Sequence, residues 1–188
     1  MIKDIEGFRR HAESVHKCTR CGLHGQCQSK MVCAGNQNGY ILFVMDSPRP
    51  EELEHQRPLC YQDGLYLQKH LGLAGFVPGD AMVAYCVCCP IEPFRMPVES
   101  EYGPCFTHLW GTIVGFDPKL IIPVGTLPTR VLCKSNRSVS ALQGSVQKLG
   151  KYRIFPIVHP NTIRTQGSRL QIKQYIAALR EARKMVFE

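Results

Sequence analysis

Long apolar runs are absent from the sequence, and none approaches the roughly 18 residues that a membrane-spanning helix needs. The first residues, MIKDIEGFRRHAESVHKC, lack the apolar segment of a secretory signal peptide, so we expect a cytoplasmic location rather than export. Internal repeats, low-complexity tracts and an obvious linker are missing as well. We therefore expect a single domain over residues 1–188, with no membrane partner.

Acidic residues are scarce relative to basic ones. The chain has 23 Lys and Arg against 15 Asp and Glu, a net charge of +8 and a pI near 9.0. A basic protein favours polyanionic partners, because each cation that neutralises a phosphate releases a counterion. The balance fits nucleic-acid binding, although it also occurs in proteins that touch no nucleic acid.

Four apolar, β-rich runs predict core strands at residues 40–45, 81–88, 119–125 and 152–159. Segments with helical spacing lie between them, and residues 2–16 and 169–187 predict helices near the two ends. Nearly continuous apolar strands that alternate with helices are typical of a parallel sheet covered on both faces, so we expect an α/β fold. In such sheets ligands bind at the carboxyl ends of the strands, which are followed here by MDSPRPEE, CCPIEPFR, VGTLPTR and VHPNTIR.

The sequence is rich in cysteine, with ten residues. In a chain without an export signal a disulfide framework is not expected, so metal ligation is the favoured role for some of them. Cys18 and Cys21 form a C-x2-C pair that can chelate one centre. Its partners stay open between a nearby zinc knuckle and a distant set suited to zinc or an iron–sulfur cluster, the candidates being Cys27, Cys33, Cys88, Cys89 and Cys105. Cys60, Cys86 and Cys133 are expected to be small buried hydrophobic residues.

Six separated motifs follow one another in the order CTRC, GNQNGYILFVMDSPRPEE, QRPLCYQDG, CCPIEPFRMPVESEYGPC, DPKLIIPVGTLP and FPIVHPNTIR. This order resembles the uracil-DNA glycosylase superfamily, in particular its iron–sulfur family four, from about Cys18 to Arg164. The resemblance implies a three-layer α/β/α sandwich around a four-stranded parallel sheet, which agrees with the four predicted strands. We accordingly expect a monomer that binds DNA and is associated with the nucleoid.

The resemblance also implies a structural [4Fe-4S] cluster. Family members place the third cysteine ligand in a KC-R-P-P motif and the fourth sixteen positions later, a spacing that Cys89 and Cys105 reproduce. The implied ligands are Cys18, Cys21, Cys89 and Cys105, which would tie the N-terminal segment to the loop after the second strand. Cys88 falls where the family usually has lysine.

Two residues match the family's catalytic positions. Asp46 matches the glutamate of the family motif GEAPG, and the resemblance implies that it orients water or stabilises the sugar cation. Without the resemblance, Asp46 beside Ser47 and Pro48 would be interpreted as a turn-capping residue. His159 stands in the family's HP motif and would hydrogen-bond the negative charge that develops on the departing base. No lysine stands at an obvious strand end as a nucleophile, so a Schiff-base lyase is not indicated.

The base pocket departs from the family pattern. Leu59 replaces the phenylalanine on which uracil stacks, and Tyr85 replaces the asparagine that pairs with the base edge. Met45 and Arg49 replace two glycines, which changes how closely the backbone can approach a ligand. The expected base-contacting residues are Met45, Ser47, Leu59 and Tyr85.

The segment NTIRTQGSR after His159 is expected to form a loop that presses into the DNA minor groove. Ile163 or Arg164 is the candidate wedge, while Arg164, Arg169 and Arg49 are expected to contact DNA. Contacts of this kind position the duplex, because phosphates carry no sequence information.

These residues together predict a monofunctional DNA glycosylase. It would flip out uracil or a modified pyrimidine and hydrolyse the N-glycosidic bond, leaving an abasic site. One alternative is a catalytically inactive DNA-binding accessory factor on the same scaffold, which the substitutions at Met45, Leu59 and Tyr85 favour. A second alternative is a zinc module on an unrelated α/β domain, with ligands Cys18, Cys21, Cys27 and Cys33.

Overall fold

The computed structural model describes residues 2, 4–91 and 95–188, so residues 92–94 of the strand-end segment CCPIEPFR lie outside the described part of the chain. The described residues form one sheet between two layers of helices, with a hydrophobic cluster on each face of the sheet. None of the described helices is both long and apolar enough to cross a membrane.

The sheet contains the strands β1 (Cys33–Gly35), β2 (Ile41–Met45), β3 (Ala81–Tyr85), β4 (Leu120–Pro123), β5 (Gln147–Leu149) and β6 (Tyr152–Ile154). Their order across the sheet is β1-β3-β2-β4-β6-β5. The inner four strands are parallel, while β1 and β5 pair antiparallel with β3 and β6 at the edges. The predicted four-stranded parallel sheet is confirmed as the inner part of a six-stranded sheet. Both edge strands are three residues long and contain no apolar run that would predict them.

Three of the four predicted strands, 81–88, 119–125 and 152–159, extend past the observed strands at their carboxyl ends. β6 ends two residues before Pro156, which has no N–H group for the ladder. Pairing nevertheless continues, because the N–H of Ile157 donates to the carbonyl of Pro123 over 3.0 Å. Beyond β3, the N–H of Val87 donates to the carbonyl of Asp46 over 3.0 Å. These bonds hold together the loops that follow the carboxyl ends of the strands.

The flanking helices are α1 (Ile5–His16), α2 (Pro50–Glu54), α3 (Gln62–Leu73), α4 (Glu99–Phe116), α5 (Thr126–Cys133), α6 (Val139–Leu142), α7 (Pro160–Gln166) and α8 (Arg169–Phe187). Phe43 and Tyr85 on one face of the sheet pack in a cluster with residues of α3 and α8. Leu42 and Val44 on the other face pack in a cluster with residues of α1, α4 and α5. Neighbouring strand residues point to opposite faces, which produces the two clusters. The predicted three-layer α/β/α sandwich is confirmed.

Helix ends are set by polar side chains. Ser168 precedes α8 and accepts a hydrogen bond from the N–H of Gln171, whose side chain bonds back to the N–H of Ser168. This capping box explains why α8 begins where the sequence predicted, at residue 169. At α1, Asp4 accepts a hydrogen bond from the N–H of Gly7 over 2.8 Å, so the helix begins at residue 5 rather than residue 2.

Candidate active site and cysteine cavity

Asp46 is the first residue after β2, a central strand of the sheet. Its side chain is partly buried, and its Oδ1 atom has no hydrogen-bond partner among the described residues. Burial raises the pKa of Asp46 to about 6, while the positive charge of Arg49 opposes this rise. Buried polar atoms are nearly always hydrogen-bonded, so Oδ1 is an acceptor that the fold itself does not use.

His159 caps the N-terminus of α7, because its Nδ1 atom accepts a hydrogen bond from the N–H of Asn161 over 3.2 Å. Burial lowers the pKa of His159 to about 4, with opposing smaller effects from Asp63, which raises it, and Arg49, which lowers it. The imidazole is therefore neutral near pH 7. Since Nδ1 acts as an acceptor, the network assigns the ring proton to Nε2, which can donate to a ligand.

A glycine after β4 leaves space for the His159 side chain. Gly125 has a φ angle of +94°, and a Cβ atom at this position would lie 3.2 Å from the Cβ atom of His159. Any other residue would be strained there and would press on the histidine. The N–H of Gly125 also donates to the carbonyl of Ile157 over 2.9 Å, which ties this loop to the chain just before His159.

Charged and aromatic side chains connect the two strand ends. The guanidinium carbon of Arg49 lies 5.7 Å from the centroid of the Tyr61 ring, and its charge acts on both Asp46 and His159. Asp63 acts on His159 and Tyr61. Burial, followed by nearby negative charges, raises the pKa of Tyr61, which stays a neutral phenol. Asp46 and His159 therefore belong to one electrostatically connected site.

A buried carboxylate joins three segments beside this site. Glu52 is 1% exposed, and its Oε1 atom accepts hydrogen bonds from the hydroxyl of Tyr85 over 3.1 Å and from the N–H of Leu59 over 2.5 Å. Its Oε2 atom accepts a hydrogen bond from the N–H of Arg49 over 2.8 Å. Leu59 has a left-handed backbone with φ of +59°, and a Cβ atom on Gly64 would lie 2.5 Å from the Cα atom of Leu59. The close approach at Gly64 and the bond to Glu52 together hold Leu59 in this conformation.

A second candidate site is a cavity beside the N-terminal segment. It is lined by thiol, cationic and imidazole side chains together with Val15, the polar residues being Cys18, Arg20, Cys21, His24, Lys30, Cys88, Cys89, Cys105 and His108. The Cys88 thiol donates to Cys105, which lowers the pKa of Cys105 and raises that of Cys88, and Cys89 bonds to Cys27. In residues 2, 4–91 and 95–188, no three His, Cys, Asp or Glu side chains converge as ligands of a single metal ion. The four predicted cluster ligands therefore line one cavity but do not converge as ligands of a single metal ion.

The remaining cysteines differ in burial. Cys86 is 1% exposed and packs in a hydrophobic cluster, which confirms its prediction as a buried residue. Cys60 and Cys133 are only partly buried, so the same prediction is wrong for them. Cys27 and Cys33, the other ligands of the proposed zinc knuckle, are not among the residues that line the cysteine cavity.

Comparison with known proteins gives the family. Residues 33–183 match the family model described as the uracil DNA glycosylase superfamily. The chain belongs to this superfamily. It is 27% identical over 163 residues to a type-4 uracil-DNA glycosylase of Thermotoga maritima, a match that covers 85% of each protein. It is 25% identical over 158 residues to a type-4 uracil-DNA glycosylase of Saccharolobus solfataricus, covering 79% of this chain and 73% of that protein.

A third relative is a much longer protein. The chain is 26% identical over 133 residues to a DNA polymerase of Bacillus phage SP01. The match covers 70% of this chain but 14% of the polymerase. This chain is therefore similar to one part of the polymerase.

The four residues predicted to contact the base are closely packed in this superfamily member. Met45 is 2% exposed, Ser47 9%, Leu59 5% and Tyr85 1%. Met45 and Tyr85 are paired in register across β2 and β3, and both pack in one hydrophobic cluster with Leu59. Methionine and tyrosine, in place of the family's glycine and asparagine, thus fill space at the carboxyl ends of these strands.

The segment after His159 forms the helix α7 rather than the predicted loop. Ile163 lies on its inner side and is 5% exposed within the core, a position that does not fit the predicted role as a DNA wedge. Arg164 and Arg169 are exposed. The Nε atom of Arg164 donates to Asp63 over 2.7 Å, which orients this arginine toward the candidate active site.

Sequence reasoning missed four residues of these sites: Glu52, Tyr61, Asp63 and His108. Tyr61 and Asp63 stand in QRPLCYQDG, one of the six motifs of the resemblance, so membership in that motif was the available signal. Glu52 stands in the run PEE, which is typical of an exposed helix start. His108 follows Cys105 by three residues, a spacing that places both on one side of a helix.

Proposed function

We propose that the protein is a monofunctional DNA glycosylase that flips a base out of DNA and hydrolyses its N-glycosidic bond, leaving an abasic site. The observation that carries this proposal is a carboxylate acceptor, Asp46, and a neutral imidazole donor, His159, at the carboxyl edge of one parallel sheet. Cleavage of the bond generates positive charge on the sugar and negative charge on the departing base. A site with one acceptor and one donor is suited to stabilise both.

Asp46 is assigned to the sugar side. Its Oδ1 atom has no partner among the described residues and can accept a hydrogen bond from the attacking water. Its charge can also stabilise the sugar cation, an interaction that is strong where water is excluded. Because the pKa of Asp46 is about 6, the carboxyl is mostly ionised near neutral pH and suits both roles.

His159 is assigned to the base side. With Nδ1 held by the N–H of Asn161, the Nε2–H group can donate to an oxygen of the departing base. A pKa near 4 keeps the ring neutral, so it stabilises the developing oxyanion without transferring a full proton. The helix cap holds the ring before substrate binds, which reduces reorganisation during the reaction.

DNA binding is assigned to Arg49, Arg164 and Arg169. Arg164 on α7 and Arg169 at the start of α8 are both exposed, and Arg164 bonds to Asp63 of the candidate active site. Arginine suits phosphate contacts because its planar group donates several hydrogen bonds. The net charge of +8 supports the same partner.

The base is proposed to be uracil or a modified pyrimidine. Met45, Ser47, Leu59 and Tyr85 are assigned to its pocket. Met45 and Tyr85 are the last residues of β2 and β3, Ser47 follows Asp46 in the chain, and Leu59 packs in one hydrophobic cluster with Met45 and Tyr85. Their packing differs from a pocket built on glycine, phenylalanine and asparagine, which favours a base other than unmodified uracil. A bulkier base would enter only if Tyr85 or Leu59 moved.

We also propose that Cys18, Cys21, Cys89 and Cys105 hold a [4Fe-4S] cluster. The donor set fits, since these thiols line one cavity whose described lining includes cations and no carboxylate. His108 lines the same cavity and has a buried Nε2 atom without a partner among the described residues, as expected where a further group binds. When bound, the cluster would cross-link the N-terminal segment to α4.

Cys88 competes with Cys89 as the third ligand, because it lines the same cavity and bonds to Cys105. After anaerobic purification, we expect Cys89→Ala to lose iron and acid-labile sulfide and Cys88→Ala to retain both. Cys27→Ala is the control, since Cys27 bonds to Cys89 but does not line the cavity. The reverse pattern would assign the position to Cys88. Wild-type protein that contains zinc instead of iron would contradict the cluster.

The glycosylase proposal is tested with a panel of oligonucleotides that contain uracil, hypoxanthine, xanthine or a hypermodified pyrimidine. We expect abasic sites, detected by alkaline strand cleavage, in at least one of them. Asp46→Asn and His159→Ala should lower the rate by about 100-fold or more. Asp80→Asn, directly before the amino end of β3, is a matched control and should retain the wild-type rate.

The second candidate is an inactive DNA-binding accessory factor. It is favoured by the tight packing of Met45, Leu59 and Tyr85, and by the similarity to part of a phage DNA polymerase. Under this proposal the protein binds every oligonucleotide of the panel and produces no abasic site. Asp46→Asn and His159→Ala would then leave the affinity for DNA unchanged.

A further inference from the structure

His108 is buried on the side of α4 that carries Cys105. The two residues are three positions apart, so their side chains lie on the same side of the helix. His108 is 8% exposed, and its Nε2 atom is buried without a hydrogen-bond partner among the described residues. The side chain lines the cysteine cavity. Because buried polar atoms in proteins are nearly always hydrogen-bonded, Nε2 needs a partner inside this cavity.

The His11 ring and the cationic side chains near His108 do not provide a partner for its Nε2 atom. The ring centroid of His11 lies 6.1 Å away, and its Nε2 atom is within 3.2 Å of the hydroxyl oxygen of Thr112. Arg20 and Lys30, which also line the cavity, carry donors only. The described lining has no carboxylate. The cysteine sulfur atoms, together with the Nε2 atom of His24, are therefore the side-chain acceptors that this cavity offers.

We propose that His108 donates a hydrogen bond from Nε2–H to a sulfur atom of the iron–sulfur cluster, as a positioning residue that raises the reduction potential of the cluster. This inference rests on the cluster proposed above and does not depend on base excision. Hydrogen bonds to the sulfurs and nearby charge are among the factors that set such potentials. A hydrogen-bond donor stabilises the reduced cluster more than the oxidised one, because the sulfur atoms of the reduced cluster carry more negative charge. The cations Arg20 and Lys30 act in the same direction.

The test compares the full-length wild-type protein with His108→Phe and His108→Gln, each purified anaerobically and matched for iron and sulfide content. Phenylalanine fills the space without a donor, whereas glutamine retains an N–H group. We expect His108→Phe to keep its iron and to show a more negative reduction potential by protein-film voltammetry. His108→Gln should lie between the two. His24→Phe is the control. The His24 ring lines the same cavity, but its Nδ1–H group already donates to the carbonyl oxygen of Cys21 over 2.7 Å.

An unchanged potential in iron-replete His108→Phe would overturn the proposal, as would wild-type protein without iron and sulfide. Complete loss of iron from His108→Phe with an unchanged circular dichroism spectrum would make His108 a ligand instead of a donor, which also contradicts it. Resonance Raman spectra provide a second measurement, since loss of the donor should shift the iron–sulfur stretching bands. These measurements need no glycosylase activity, so failure of the base-excision proposal is distinguishable from failure of this one.

Discussion

The hydroxyl of Tyr85 donates a hydrogen bond to the Oε1 atom of Glu52 over 3.1 Å, and each side chain is 1% exposed. The bond joins the end of β3 to α2, two segments that are distant in sequence. Glu52 also accepts the N–H groups of Arg49 and Leu59. One carboxylate therefore fixes three positions at which the chain departs from the family pattern, and it holds the Tyr85 ring at the expected base site.

The first prediction concerns the stability of this pair. Tyr85→Phe leaves one acceptor position of a buried carboxylate unsatisfied, so it should lower the free energy of unfolding by about 1.5–3 kcal/mol. Tyr175→Phe is the matched control: Tyr175 is 0% exposed, and its hydroxyl has no hydrogen-bond partner among the described residues. Urea denaturation measures both. Equal losses in the two variants would show that the bond to Glu52 adds nothing to stability.

The second prediction concerns the base. If Tyr85 and Leu59 fill the pocket, Tyr85→Asn combined with Leu59→Phe should raise the rate of uracil excision, because asparagine restores paired donor and acceptor groups and phenylalanine restores a stacking surface. Abasic sites in a uracil-containing oligonucleotide are counted over time. Leu65→Phe is the control, since this exposed leucine lies on α3 outside the proposed pocket. No gain in excision would place the pocket elsewhere.

The sequence predicts the parts of this protein that depend on local patterns. Apolar runs locate the inner strands, and the carboxyl ends of those strands locate Asp46 and His159. The burial of Glu52 cannot be predicted in this way, because a glutamate in the run PEE normally faces solvent. Its partners depend on tertiary packing. The burial of Ile163 also depends on tertiary packing, since the seven-residue helix α7 places this side chain in the core.

The third prediction distinguishes a core residue, Ile163, from a proposed DNA-contacting residue, Arg169, on the neighbouring helix. Ile163→Ala should lower the free energy of unfolding by about 2–4 kcal/mol, because it removes buried methyl groups from the core. The DNA affinity of the folded variant should stay at the wild-type value. Arg169→Ala should do the opposite: it should leave stability within about 0.5 kcal/mol and reduce the salt dependence of DNA binding by about one counterion.

Fluorescence anisotropy of a labelled duplex across a range of salt concentrations measures this dependence, and urea denaturation measures stability. Lys134→Ala is a control for Arg169→Ala, since it removes a positive charge at the end of α5. An Ile163→Ala variant that is fully stable but binds DNA weakly would restore the role of wedge to Ile163.

The last prediction concerns pH. Burial raises the pKa of Asp46 from an ordinary 3.8 to about 6, so between these values the folded protein binds more protons than the unfolded chain. The stability contributed by the protonated carboxyl is therefore fully present below about pH 3.8 and is lost as the pH rises through about 6. The difference of about 2.2 pKa units, at about 1.36 kcal/mol each, limits this loss to about 3 kcal/mol.

Asp46→Asn cannot ionise and avoids the loss. We expect it to be more stable than the wild-type protein at about pH 8, by up to about 3 kcal/mol, and equally stable near pH 3.8, as measured by urea denaturation across this range. Asp80→Asn is the control, because the Oδ2 atom of Asp80 accepts the N–H of Val77 over 2.9 Å and should give no such gain. A difference that grows toward acid pH would contradict the burial of an unpaired carboxylate. Since the same substitution is expected to lower excision, a gain at pH 8 would identify Asp46 as a residue retained for chemistry against its cost in stability.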